Sequence, residues 1–166
     1  MAPKPARLGL AVAAAVVVLD QAAKLWLLYG FDLAARGRVA LMPLVDLVLA
    51  WNTGISYGLF PQQGFAGQAV LFAIKAVAVV LLWLWLRQAR GRFLAVALGL
   101  IIGGAVGNAI DQVAHGAVVD FVLFHIDTAT FHFNWYVFNL ADAAIVAGVV
   151  GVLYDSLKSR NAAKAP

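Results

Sequence analysis

Long apolar runs dominate this chain and leave few folds open to it. They extend over Leu8 to Tyr29, Ala66 to Leu86, Phe93 to about Val113 and about Phe138 to Leu157. Each approaches the roughly 20 residues a helix needs to cross about 30 Å of hydrocarbon. The rest of the chain cannot offset them. With 64% hydrophobic and 12% charged residues among 166 and a mean hydropathy of +0.90, there is too little polar surface to cover a water-soluble globule. The expected architecture is an integral membrane protein with helices at about 8–29, 66–86, 93–113 and 138–157, in a single membrane domain spanning 1–166. The connections at about 30–65 and 114–137 are the longer ones. The rival for the first run is a cleavable signal peptide with Leu8 to Leu19 as its apolar core, but the helical pattern continues through Trp26 to Leu28.

Lys4, Arg7, Arg87, Arg90, Arg92, Lys158, Arg160 and Lys164 flank one set of helix ends, against Arg36 and Arg38 on the other. The positive-inside rule then puts both termini in the cytoplasm and both longer connections outside. The net charge of +4 is spread over these short flanks, so it sets orientation and does not form a face for nucleic acid. In the first connection, Val39 to Trp51 and the following Asn52-Thr53-Gly54-Ile55-Ser56-Tyr57-Gly58 read as short strands and turns. The second, with its Phe, Tyr and Trp residues and His125, Asp127 and His132, reads as a segment resting at the membrane interface.

The polar residues within the runs carry the chemistry. All eight acidic residues are Asp. Asp20 and Lys24 sit at the outer end of the first helix, Asn108 and Asp111 at that of the third, and Asn139 and Asp142 at the outer start of the fourth, with Asp120 close behind the third. An ionisable group within a span costs roughly 2.5 to 3.5 kcal/mol, so it faces a partner or a water-filled cavity. The spacings, i,i+4 for Asp20 and Lys24 and i,i+3 for the other pairs, put each set on one helix face. Gly99, Gly103 and Gly107 continue the stripe of Asp111 and let another helix approach closely. The bland reading is an intrahelical ion pair of Asp20 with Lys24 and asparagines that tie helices together, and it suits those residues. Asp120 and Asp142 have no basic neighbour in sequence and are the candidates for chemistry. Two adjacent carboxylates that share a proton can divide the work of an aspartic protease.

Other chemistries lack parts. Without Cys or Glu, and with His115, His125 and His132 in no His-Glu-x-x-His pattern, a zinc hydrolase has no ligand set. Ser156 lies at the cytoplasmic end and Ser56 has no evident base, which disfavours a serine nucleophile. A small ion-coupled transporter would string polar residues along a path through the membrane, whereas here they concentrate at the outer end, with Lys75, near the middle of the second helix, the main exception.

Five blocks in order carry a resemblance: Asp20-Gln21-Ala22-Ala23-Lys24, Trp51-Asn52-Thr53-Gly54, Gly103-Gly104-Ala105-Val106-Gly107-Asn108-Ala109-Ile110-Asp111, Val118-Val119-Asp120-Phe121 and Phe138-Asn139-Leu140-Ala141-Asp142. Together they resemble bacterial lipoprotein signal peptidase, or signal peptidase II, over nearly the whole chain. The resemblance implies an all-α, four-helix inner-membrane aspartic endopeptidase with a small extracytoplasmic β-rich cradle between helices one and two. It would remove signal peptides from diacylglyceryl-modified prolipoproteins, cutting before the lipidated cysteine. Asp120 and Asp142 would be the catalytic dyad. Asp20, Lys24, Asn52, Gly54, Asn108, Asp111, Asn139 and Ala141 would bind substrate or support the site. Membrane lipid and globomycin-like inhibitors are further implied partners, the expected state is a monomer, and neither metal nor cofactor is required. Gln112 departs from the Arg usual in the family at that position, which bears on efficiency or substrate preference and opens the alternative of a degenerate, lipoprotein-binding accessory relative.

Overall fold

The computed structural model describes residues 4–53, 65–128 and 130–162. Its elements, in chain order, are α1 (Lys4–Leu25) continued by a π-helical turn (Trp26–Gly30), α2 (Leu33–Arg36), β1 (Val39–Met42), β2 (Val45–Asn52), α3 (Phe65–Gln88), α4 (Arg92–His115), β3 (Val118–Asp127), β4 (His132–Asn134) and α5 (Leu140–Ala162). Three helical segments among the described residues, Lys4–Gly30, Arg92–His115 and Leu140–Ser159, are long and apolar enough to cross a membrane. Their outward faces are apolar: Val18 and Leu19 on α1 and Val150 and Leu153 on α5 are all exposed. A bilayer accepts such faces where water would not.

α4 is the central helix, packed between α1 and α5. Its glycines explain how. A Cβ added at Gly103 would lie 2.6 Å from the Ala13 carbonyl oxygen of α1, and one at Gly104 would run into the Ala141 carbonyl of α5. Two adjacent glycines thus let α4 meet one backbone on each side, in the manner of small-residue interfaces in lipid, where close van der Waals packing replaces the hydrophobic effect. α3 packs against α4 at the far end of the bundle, where Leu86, Ala89, Ala6, Ala95 and Leu98 form a buried cluster.

The expectation of an all-α fold with strands only between helices one and two needs correction. The two long connections combine into one four-stranded antiparallel sheet of order β1-β2-β3-β4, so the second connection supplies half of it. Asn52 pairs with Val118 and Ala50 with Asp120. The segment read as interfacial is strand because Val118, Val119, Phe121 and Leu123 are all buried there. That burial on both faces puts apolar residues at consecutive positions on either side of Asp120, without the alternation of a half-buried strand. The β1–β2 turn holds Leu44 at φ 72°, an uncommon conformation for a branched side chain, and the Leu44 carbonyl accepts the His125 backbone N–H at 3.0 Å. The sheet lies at the end of the bundle where α1 and α4 finish and α5 begins.

Candidate active site

Charged and amide side chains from α1, α4, α5, β2 and β3 meet at that end, in two connected groups. The first is centred on Lys24, only 2% exposed. Its Nζ lies 2.7 Å from Asp20 Oδ2 and 2.6 Å from Asp111 Oδ2, and it donates to Asn108 Oδ1 at 3.1 Å. The intrahelical pair expected from the i,i+4 spacing is present, and Asp111 joins it from α4. Backbone donors complete both carboxylates. Asp20 Oδ1 accepts the Ala141 backbone N–H at 3.0 Å, and Asp111 Oδ2, besides meeting the lysine, accepts that of Val119 at 3.1 Å. Buried charges are tolerable only when paired and hydrogen-bonded in this way. The group therefore works as a fastener joining α1, α4, the start of α5 and the start of β3.

Gln21 belongs to this group although the sequence reading gave it no role. Its Nε2 donates to Asp111 Oδ1 at 2.8 Å and to the Gly107 carbonyl at 3.1 Å. An amide in an otherwise apolar helix was the available signal, hidden by its neighbour Asp20.

The second group holds Asp120 and Asp142, 2% and 8% exposed. Asn139 bridges them. Its Nδ2 lies 2.7 Å from Asp120 Oδ1 and 3.0 Å from Asn108 Oδ1, and its backbone N–H donates to Asp142 Oδ2 at 3.3 Å. Asn139 Oδ1 in turn accepts the Asp142 backbone N–H at 2.9 Å. This reciprocal exchange across three residues has the geometry of a capping box, so the device that starts α5 also sets the position of the Asp142 carboxylate. Asn108 Nδ2 donates to Asp142 Oδ1 at 2.9 Å, and Asn52 Nδ2 to Asp120 Oδ2 at 3.2 Å from the neighbouring strand. Four oxygens thus receive neutral amide donors, and no ion pair among the described residues reaches either carboxylate. Burial first, then the nearby Asp142 carboxylate, push Asp120 up to about 7. Two such carboxylates hold one proton between them more readily than none, because ionising both would place like charges together out of water.

Gly54 lies outside the described residues. Ala141 is fully buried and meets Gly104 through its carbonyl, so it is a packing position as well as a donor to Asp20. Gln112 donates to the Gly116 carbonyl at 2.9 Å, closing the end of α4. Lys75 on α3 is partly buried and lies within electrostatic range of both Asp142 and Asp120. It forms no ion pair among the described residues.

Two of the histidines read as interfacial, His125 and His132, enter a further cluster on the sheet. His125 Nδ1 is 2.9 Å from Asp127 Oδ2, and Nε2 is 3.2 Å from Asp46 Oδ1 in a geometry too poor for a hydrogen bond. His132 Nδ1 is 3.0 Å from Asp127 Oδ1, and Arg38 pairs closely with Asp46. The Arg38 guanidinium, helped by His125, holds the Asp46 carboxyl below the usual carboxylate range.

Apolar helices of membrane-spanning length, a small sheet at one end and buried carboxylates where they meet define a membrane enzyme. Solved bacterial membrane enzymes have the same fold: one determined by the in meso method at 2.3 Å resolution has a TM-score of 0.77 at 25% identity, with 95% of this chain and 92% of that one covered. Residues 12–158 match the signal peptidase (SPase) II family. Lipoprotein signal peptidase of Rhodopseudomonas palustris (strain TIE-1) is 58% identical over 162 residues, covering 98% of this chain and 99% of the relative. That of Methylorubrum extorquens (strain PA1) is 54% identical, covering 96% and 90%. The chain belongs to the signal peptidase II family.

Proposed function

We propose that this protein is a membrane aspartic endopeptidase that removes the signal peptide from diacylglyceryl-modified prolipoproteins, cutting just before the lipidated cysteine, with Asp120 and Asp142 as its dyad. The observation that carries the mechanism is the Asn139 bridge. One residue grips both carboxylates, 2.7 Å from Asp120 through its side chain and 3.3 Å from Asp142 through its backbone. In the one-proton form, the ionised carboxylate takes a proton from water as that water attacks the scissile carbonyl. The protonated partner polarises the carbonyl oxygen, and a proton then passes to the leaving amine. The neutral amides of Asn52, Asn108 and Asn139 hold both acids without neutralising them. Asp20, Lys24 and Asp111 brace the frame and do no chemistry. Family membership and the relatives' names supply the substrate.

In this reading α1, α3, α4 and α5 all cross the bacterial inner membrane, both termini are cytoplasmic, and the dyad and sheet face outward. Substrate lipid anchors the cysteine beside the dyad, globomycin-like peptides compete for the same place, and a single copy is sufficient. The accessory-relative alternative rested on Gln112, whose bond to Gly116 leaves the dyad frame intact.

The test is a purified full-length chain offered a pro-lipopeptide with and without its diacylglyceryl group, with products read by mass spectrometry. Cleavage before the cysteine of the lipidated form alone, blocked by globomycin, is the expected result. Equal cleavage of the unmodified peptide, or none of either, would contradict the reading.

A further inference from the structure

Along α3, Phe72, Ile74, Val77, Val80 and Leu81 are exposed, whereas Lys75, Val79 and Leu82 are partly buried and Leu86 is fully buried. The protected positions follow at intervals of four, three and four, so they form one stripe of the helix. Val79 and Leu82 pack on the buried cluster that holds Leu86 with Leu98 of α4, which turns this stripe toward the bundle. Lys75 continues the same stripe, one turn nearer the sheet than Val79. It is deep along the helix, about 15 Å from Phe65 and about 20 Å from Gln88 at about 1.5 Å per residue. An ammonium at such a depth ordinarily faces an anion or a water-filled cavity. Lys24, the other lysine placed within the helices away from their basic flanks, is already taken by Asp20 and Asp111. Lys75 makes no ion pair among the described residues, and the carboxylates whose charge reaches it are Asp142 and Asp120.

We infer that Lys75 is a positioning residue for the proposed cleavage: from α3, its charge holds the dyad in the one-proton form that the mechanism needs. The inference rests on the proposed function. Out of water, the one-proton pair competes with a two-proton pair that carries no charge at all. Asn52, Asn108 and Asn139 orient the carboxylates but bring no charge to offset the ionised one. The other charged groups of the layer do not offset it either. Asp20 on α1 and Asp111 on α4 are two carboxylates against the single ammonium of Lys24, so together they add net negative charge beside the dyad. A cation on the bundle-facing side of α3 supplies the missing sign. Across an apolar interior its field is screened far less than in water, so it acts without touching either acid.

The test is the pH dependence of kcat/KM, which reports the free enzyme, for full-length wild type, Lys75→Met and Lys75→Arg on one diacylglyceryl-modified pro-lipopeptide. Lys75→Met puts an apolar side chain of similar length into an apolar helix, and a melt of each variant in detergent shows that it is folded. Without the cation the pair takes its second proton more readily, so the acid limb of Lys75→Met should move up by about one pH unit. At a fixed pH on that limb kcat/KM should fall about tenfold, while at the basic end of the profile it is retained or raised. Lys75→Arg keeps the charge and should keep the wild-type limb. A Lys75→Met limb superimposed on that of wild type, or a loss that is equal at every pH and shared by Lys75→Arg, would overturn the inference. If wild type cuts no lipidated substrate, it is the proposed function that fails, and the inference with it.

Discussion

At the residue scale, Asn139 is fully buried and carries both the α5 cap and the link between the carboxylates. Asn139→Ala removes the cap, worth about 1 to 2 kcal/mol, and a thermal melt in detergent should show that loss. Turnover should fall further than the melt implies, by roughly 10²-fold, because Asp120 and Asp142 lose their common positioning group. Asp120 supplies a pH signature. Its carboxyl is raised to about 7, so the stability it confers is fully present below the ordinary carboxylate range and is lost as pH rises through about 7. Wild type should therefore lose melting temperature relative to Asp120→Asn between roughly pH 4 and 8, a sign fixed by the direction of the shift. Activity should decline over the upper part of that range as the pair gives up its shared proton. Lys24→Met would leave Asp20 and Asp111 buried and unpaired. The expected cost is about 3 to 5 kcal/mol, seen as loss of folded protein on detergent gel filtration.

At the element scale, the pattern of polar residues along helices was legible and that of strands was not. Asp20 with Lys24, Asn108 with Asp111 and Asn139 with Asp142 recur at helical spacing in apolar surroundings, so their common faces could be read directly. The Gly99, Gly103 and Gly107 stripe was equally plain. What it missed is Gly104, which meets α5 on the opposite side of α4 from Gly103. Gly104→Leu should separate α4 from α5 and cost at least about 1 to 3 kcal/mol by overpacking, measured by thermal melt. β3 escaped because Val118 to Phe121 is buried on both faces. Its partner β2 lies more than sixty residues away, and no local pattern announces the bond from Asn52 to Asp120, whose sequence separation is 68. Gln21 and the Asp46–His125–Asp127 cluster escaped for the same reason: their meaning lies in partners brought by other elements.

At the scale of the whole molecule, the fold turns a membrane's intolerance of unpaired charge into a positioning device. Three carboxyl-bearing helix ends converge, one lysine pairs with both Asp20 and Asp111, and the other two acids of the site are held by amides alone. Orientation is testable because the chain has no cysteine. A membrane-impermeant maleimide applied to intact cells should label Asn134→Cys on β4 and spare Ser159→Cys in α5. The reverse pattern would invert the proposed topology. The central claim concerns the two acids themselves. Asp120→Asn and Asp142→Asn, each shown folded by its melt and gel-filtration profile, should each lower turnover of a diacylglyceryl-modified pro-lipopeptide by at least about 10²-fold. Near-wild-type turnover by either folded variant would contradict the dyad.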